Sequence, residues 1–278
     1  MAPRIEIARH AGVCYGVERA LELAHRAGTD ALPPVHTLGP LIHNPRVVNE
    51  LEEAGVQMAN RLEDIPAGAV IIRAHGVAPV VEDEARERGL SVLDATCPYV
   101  KKVHVAAERL RAEGYQVIVV GEAGHAEVEG IMGHAGEGAV VVSGPEDLDG
   151  LKLAPKVGVV VQTTQTDERL TDVVSALLPR TREVRVVNTI CKATHERQES
   201  AAELAARADV MVVIGGRNSG NTRRLAQICA AACPRTYHIE SADEIDLSWF
   251  VDAELVGVTA GASTPERHIR EVIDRIGR

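Results

Sequence analysis

Apolar positions along this chain fall into two alternating patterns. One is a set of short continuous runs rich in Val and Ile: "PVHTLG", "AVIIRAHG", "LSVLDA", "QVIVVGEAG", "AVVVSG", "KVGVVVQTT", "VRVVNT", "VMVVIGG", "TYHIE" and "ELVGVTAG". They are unbroken rather than alternating, which predicts strands buried on both faces, as in parallel sheets. The other pattern lies between them, in stretches such as "NPRVVNELEEAG", "APVVEDEARERG" and "DERLTDVVSALL". Their apolar residues recur at helical spacing. The rhythm predicts an α/β fold, with helices flanking mostly parallel strands.

A longer repeat underlies that rhythm. "IEIARHAGVCYGVERALELAHRAG", "LSVLDATCPYVKKVHVAAERLRAEG" and "VRVVNTICKATHERQESAAELAARA" share one plan: an extended run, a polar or glycine turn, a cysteine, then an amphipathic helix. Val17, Ala20, Leu21 and Ala24 make one helical stripe; Val100, Val103, Ala107 and Leu110 make another; Ala201, Leu204, Ala205 and Ala208 make the third. Cys14, Cys97 and Cys191 stand about one small domain apart. After Cys191 the chain lacks the final strand that precedes each of the other cysteines, and the N-terminal "RIEIA" can supply it. The expected architecture is three pseudo-equivalent α/β units around a central cavity: 14–96, 97–190, and 191–278 completed by 1–13.

Composition narrows the class. The chain has 278 residues, 45% hydrophobic and 25% charged, the balance of a globular protein. With one Phe, one Trp and four Tyr, the core must be built from small aliphatic side chains. A net charge of −10 argues against a nucleic-acid partner, because phosphate contacts need a basic surface. No basic segment followed by an apolar stretch opens the chain, and no run is long enough to span a bilayer, so a cytoplasmic location without a membrane partner is expected. Five cysteines in such a chain are expected as reduced thiols rather than a disulfide framework.

Three cysteines at equivalent strand ends would converge if the units pack about a common axis, since ligands in parallel α/β units collect at the carboxyl ends of strands. Taken singly, each would read as a small buried hydrophobe; the threefold equivalence favours a metal group. Zinc sites of Cys ligands usually draw on close C-x₂₋₄-C pairs, absent among these three. Iron–sulfur clusters commonly take four thiolates, so three would leave one iron of a [4Fe–4S] cube open to substrate. Cys229 and Cys233 form a C-x₃-C pair, but Leu225, Ile228, Cys229 and Ala232 read as a helical core face.

The other strand ends are polar. "HTLGPLIHNP" carries His43, "IIRAHGV" His75, "VVGEAGHAEVEG" His125 and Glu127, and "VVVQTTQT" Thr163 and Thr164. "VVIGGRNSGNTRRLA" carries Ser219, Gly220 and Asn221, and "VGVTAGAST" carries Ser263. Helix N-termini offer free N–H groups to phosphate, and Gly215, Gly216 and Gly220 allow close backbone approach. No Walker A or Rossmann fingerprint is present. Glu127, enclosed beside a cluster and a diphosphate, would have its pKa raised by desolvation and like charge, and could then deliver a proton near neutral pH.

Taken together, "VCYGVERAL", "HN", "AHGV", "DATCP", "GHAEVEG", "QTT", "ICKATHERQ", "NSGNTRRL" and "TAGAS" resemble the 4-hydroxy-3-methylbut-2-enyl diphosphate reductase family of the non-mevalonate isoprenoid pathway. The resemblance runs in order over nearly the whole chain and implies the same three-unit fold. It implies that Cys14, Cys97 and Cys191 ligate one [4Fe–4S] cluster with an open iron. It makes His43, His75 and His125 substrate-binding, with Ser219, Gly220, Asn221 and Ser263 at the diphosphate. It assigns the proton relay to Glu127 and puts Thr163 near the substrate hydroxyl; Glu127, Thr163 and His125 are then the catalytic set. Many relatives carry a second serine where this chain has Gly220, so a backbone N–H would replace one hydroxyl there. The implied reaction is a two-electron reductive dehydroxylation giving isopentenyl and dimethylallyl diphosphate, with reduced ferredoxin or flavodoxin as donor. Two rival readings are a hydro-lyase that uses an open-iron cluster only as Lewis acid, and a non-enzymatic iron–sulfur sensor or carrier. The diphosphate-type loops count against the first, and the three-cysteine set and the acidic charge against the second.

Overall fold

The computed structural model describes residues 3–30 and 34–277. Met1, Ala2 and Arg278, which belong to the expected third unit, lie outside the described residues. Strands and helices alternate as the apolar pattern predicts. The order is β1 (Arg4–Ile7), α1 (Tyr15–Asp30), β2 (Val35–Leu38), α2 (Pro45–Glu53), β3 (Val56–Ala59), β4 (Ala69–Ile72), α3 (Pro79–Glu87) and β5 (Ser91–Asp94). It continues with α4 (Pro98–Ala112), β6 (Gln116–Val120), α5 (Ala126–Ala135), β7 (Val140–Val142), β8 (Lys156–Val161), α6 (Asp167–Leu177) and β9 (Glu183–Val187). The last stretch holds α7 (Lys192–Ala205), β10 (Val210–Ile214), α8 (Gly220–Ala232), β11 (Thr236–Ile239), β12 (Leu255–Ala260) and α9 (Glu266–Ile276).

These strands form three four-stranded sheets, β3-β2-β4-β5, β7-β6-β8-β9 and β11-β10-β12-β1. Every pairing is parallel. The three orders are one order repeated, with β1 taking the place that β5 and β9 hold in the other sheets. Its register runs from Arg4 opposite Leu255 to Ile7 opposite Val258. Continuous burial explains the continuous apolar runs: every residue of β4, β10 and β12 is buried. Burying each such aliphatic side chain contributes about 1.5–3 kcal/mol, and the loss of backbone freedom offsets most of it.

By packing, the chain divides into two compact units. One holds Met1–Glu18, His43–Val47 and Lys192–Arg278, and with them the third sheet. On one face of that sheet Ala201, Leu204 and Ala205 of α7 and Leu225 and Cys229 of α8 pack on Met211 and Val213. On the other, Ile269, Val272 and Ile276 of α9 cover Val212, Val256 and Val258. The second unit holds Arg19–Ile42 and Val48–Cys191 and contains the other two sheets. There α4 and α5 bring Val103, Leu110 and Ile131 onto Val117, Val119 and Val160, while Leu170, Val173 and Leu177 of α6 cover the opposite face.

Two details differ from the sequence pattern. Strand β3, "VQMA", has no continuous apolar run because it lies at a sheet edge and buries only Val56 and Ala59. On α8 the buried face runs Leu225, Cys229, Cys233, with Ile228 half-buried and Ala232 exposed. The stripe is rotated from the expected one toward the core of α7, Met211 and Val213, and the Cys233 N–H closes onto the Cys229 carbonyl at 2.7 Å just past the helix end at Ala232.

Candidate active site

The three cysteines occupy matching positions in the three sheets. Each follows the fourth strand and precedes a helix, and each N–H is bonded to a carbonyl two residues beyond the neighbouring strand. Cys14 donates to Ala262 at 3.4 Å, Cys97 to Ala74 at 3.0 Å, and Cys191 to Thr163 at 3.0 Å. All three are half-buried and in no disulfide, in contrast to Cys229 and Cys233, which are core side chains. Burial pushes the Cys229 thiol up to about 12, as desolvation disfavours a thiolate. Among the described residues no three His, Cys, Asp or Glu side chains gather into a metal site. The three thiols nonetheless suit an iron–sulfur group by their chemistry and by their equivalent local frames.

In the second unit, the segments that follow β6 and β8 bury a carboxyl group. Glu127, 3% exposed, stands in the first turn of α5. Its Oε1 accepts the Thr163 N–H at 2.6 Å and its Oε2 the Thr163 hydroxyl at 2.8 Å. Burial raises its pKa to about 7, with the two Thr163 hydrogen bonds opposing the shift. Desolvation is the cause of the rise. His125 caps α5 by accepting the Glu127 N–H on Nδ1 at 3.1 Å. An accepting Nδ1 leaves the ring proton on Nε2. The His75 ring meets that of His125 edge to face at a centroid distance of 5.7 Å.

Beneath the His75 loop lies a residue the sequence pattern did not single out. His104, buried on α4, sits so close under Gly76 that a Cβ there would stand 2.6 Å from its Cε1. Gly76 also has φ +72°, so no other residue fits easily. Desolvation pushes the His104 pKa down to about 3, and the neutral ring stacks on His134 at 3.9 Å. Its helical phase with Val100 and Ala107 was the available signal that it faces inward.

In the first unit, the start of α8 carries a second set of buried polar groups. Ser219 caps the helix by accepting the Thr222 N–H at 3.3 Å, and Gly220 and Asn221 follow it, all three buried. Asn221 is 5% exposed, yet neither of its amide atoms has a hydrogen-bond partner. Gly216 lets the chain pass the His43 carbonyl, since a Cβ there would stand 2.6 Å from that oxygen. Asn44, next to His43, donates to the Ser263 carbonyl at 2.8 Å and accepts the Arg46 N–H at 3.1 Å. It ties the His43 and Ser263 loops together; its signal in the sequence was an Asn-Pro pair opening a helix. The structure thus brings His43, Ser263 and the α8 N-terminus together in one unit, and His75, His125, Glu127 and Thr163 in the other.

The model of the LytB protein family matches residues 5–277. This chain belongs to the LytB family. LytB relatives from Pelobacter propionicus and Aquifex aeolicus, both named 4-hydroxy-3-methylbut-2-enyl diphosphate reductase, are 50% and 48% identical to it. The alignments cover 99% of this chain and 98% of the first, and 98% of this chain and 95% of the second. A solved (E)-4-hydroxy-3-methyl-but-2-enyl diphosphate reductase, described as the terminal enzyme of the non-mevalonate pathway, is 47% identical with a TM-score of 0.74, over 99% of each chain. The E-1-hydroxy-2-methyl-but-2-enyl-4-diphosphate reductase of Plasmodium falciparum is 26% identical with a TM-score of 0.93, over 99% of this chain and 88% of that one. Among the described residues no helix is long and apolar enough to cross a membrane.

Proposed function

We propose that this chain is a 4-hydroxy-3-methylbut-2-enyl diphosphate reductase, converting that allylic alcohol to isopentenyl and dimethylallyl diphosphate. Two electrons and two protons enter, the C–O bond breaks, and the hydroxyl leaves as water. The observation that carries the reading is Glu127: a buried carboxyl group with a pKa near 7, held by Thr163 in a chain about half identical to enzymes of that name. Cys14, Cys97 and Cys191 would hold a [4Fe–4S] cluster, which when bound supplies single electrons and one Lewis-acidic iron without a cysteine.

The chain's own groups supply the rest. Near neutral pH Glu127 keeps a transferable proton on its carboxyl oxygen, which can be passed through the Thr163 hydroxyl it contacts toward the leaving hydroxyl. His125 presents its Nε2–H and, with His75 beside it, orients the substrate. The diphosphate would be met by Ser219, the Gly220 N–H, the unpartnered Asn221 amide, Ser263 and His43. Asn221 supports this most, because a buried amide with no partner costs folding free energy unless a ligand satisfies it. A one-electron carrier, ferredoxin or flavodoxin, in a cytoplasmic setting completes the reading. Anaerobic purification with iron and sulfide analysis, then product detection with a chemical reductant, tests it. An orange-brown chain forming both products is expected; a colourless chain after reconstitution, or turnover without reductant, rejects it.

A further inference from the structure

The three cysteine turns share a frame but are closed differently. Asp94, three residues before Cys97, accepts the Thr96 N–H at 2.8 Å. Asn188, three before Cys191, accepts the Ile190 N–H at 3.0 Å. Both are Asx turns, a side chain standing in for a backbone acceptor. The matching position before Cys14 is Ala11, which offers no such acceptor. There a guanidinium does the work. Arg197, 4% exposed on α7, donates from Nη2 to the Gly12 carbonyl at 2.7 Å and from Nη1 to Ala193 at 2.9 Å.

A second arginine repeats the arrangement. Arg19, half-buried on α1, donates to the carbonyls of Thr96 at 3.2 Å and Asp94 at 3.4 Å. Thr96 immediately precedes Cys97. Each arginine therefore sits early in the helix that follows one cysteine and donates to the turn carrying another, Arg197 to one peptide carbonyl and Arg19 to two. At the Cys191 turn the Thr189 hydroxyl bonds both backbone groups of Val161, accepting at 2.9 Å and donating at 2.5 Å. Burying a guanidinium is costly unless its donors are satisfied. Its planar fork can span two acceptors at once, which a lysine cannot do.

We propose that Arg197 and Arg19 are positioning residues for the iron–sulfur group, fixing the Cys14 and Cys97 turns in their ligating form and holding permanent positive charge beside them. This rests on the reading that the three thiols carry a cluster. Gly12 is two residues from Cys14, so the Arg197 charge lies on the order of 10 Å from that ligand. Fixed positive charge at that range favours the reduced cluster, whose potential follows local charge and hydrogen bonding.

The full chain and its R197Q, R197K and R19Q variants test this, each reconstituted anaerobically. Two quantities decide: the cluster's reduction midpoint, and the alkylation rate of each cysteine in the apo chain, resolved by mass spectrometry. R197Q should alkylate severalfold faster at Cys14 alone, and R19Q at Cys97 alone. Both should have midpoints more negative than the parent. R197K should keep the parent midpoint while Cys14 alkylation still rises. Parent-like rates and midpoints in both Gln variants would overturn the proposal, whatever their melting temperatures. R19Q carries the test if the more buried R197Q does not fold. A parent chain that binds no cluster would refute the functional reading, while the alkylation rates would still decide whether the arginines hold the turns.

Discussion

At the scale of single residues the decisive balance is at Glu127, between desolvation, which raises its pKa, and two Thr163 hydrogen bonds, which lower it. Desolvation wins, giving about 7 against an ordinary 4.5. The folded chain therefore binds this proton more tightly than the unfolded chain. Its contribution to stability is full below about 4.5 and is lost as pH rises through about 7, roughly 3 kcal/mol in all. Glu127→Gln removes that dependence. Its urea midpoint should fall less than the parent's between about pH 5 and pH 8.5; equal falls would mean the carboxyl group is not the buried acid described here. In turnover, kcat should drop about tenfold per pH unit above pH 7 as the proton is lost. The Gln variant should lose about 100-fold or more in kcat, with KM changed no more than about threefold. Thr163→Val deletes a hydroxyl that favours the ionised form, so the alkaline limb of its residual activity should move to higher pH. A limb that stays or moves down would separate Thr163 from the proton route.

At the scale of elements, α8 shows what a buried amide without a partner costs a helix. Its first turn carries Ser219, Gly220 and Asn221 in burial, and the Asn221 amide has no partner on either atom. Leaving such a group unsatisfied costs about 1–3 kcal/mol. Asn221→Leu, similar in size and apolar, should leave the apo melting temperature unchanged or raise it, while raising KM at least about tenfold. A lower melting temperature with KM unchanged would assign Asn221 to packing alone. Ser219 differs, because its hydroxyl already caps the helix through the Thr222 N–H. Ser219→Ala should therefore cost about 1 kcal/mol of stability as well as affinity, and thermal unfolding read beside KM separates the two variants.

For the molecule as a whole, the strand rhythm and the threefold cysteine plan could be read from the chain because each is local: a run of Val and Ile, a polar residue, a thiol, a helix. The role of "RIEIA" as the missing fourth strand was legible for the same reason, and β1 pairs with β12 in the place that β5 and β9 hold elsewhere. What stayed hidden was non-local or lay at an edge. Strand β3 buries only half its side chains. His104 shows its purpose only once Gly76 lies against it, and Arg197 only once Gly12 does. The chain's charge bears on the substrate at the same scale. A net charge of −10 repels a diphosphate at long range, while the proposed contacts include no lysine or arginine: backbone N–H groups, hydroxyls, one amide and the His43 ring. Added salt screens the repulsion without breaking an ion pair. KM should therefore stay within about threefold, or fall, between about 20 mM and 300 mM KCl. A tenfold rise would mean that lysine or arginine side chains carry the diphosphate, and would remove Asn221 and the α8 N-terminus from that role.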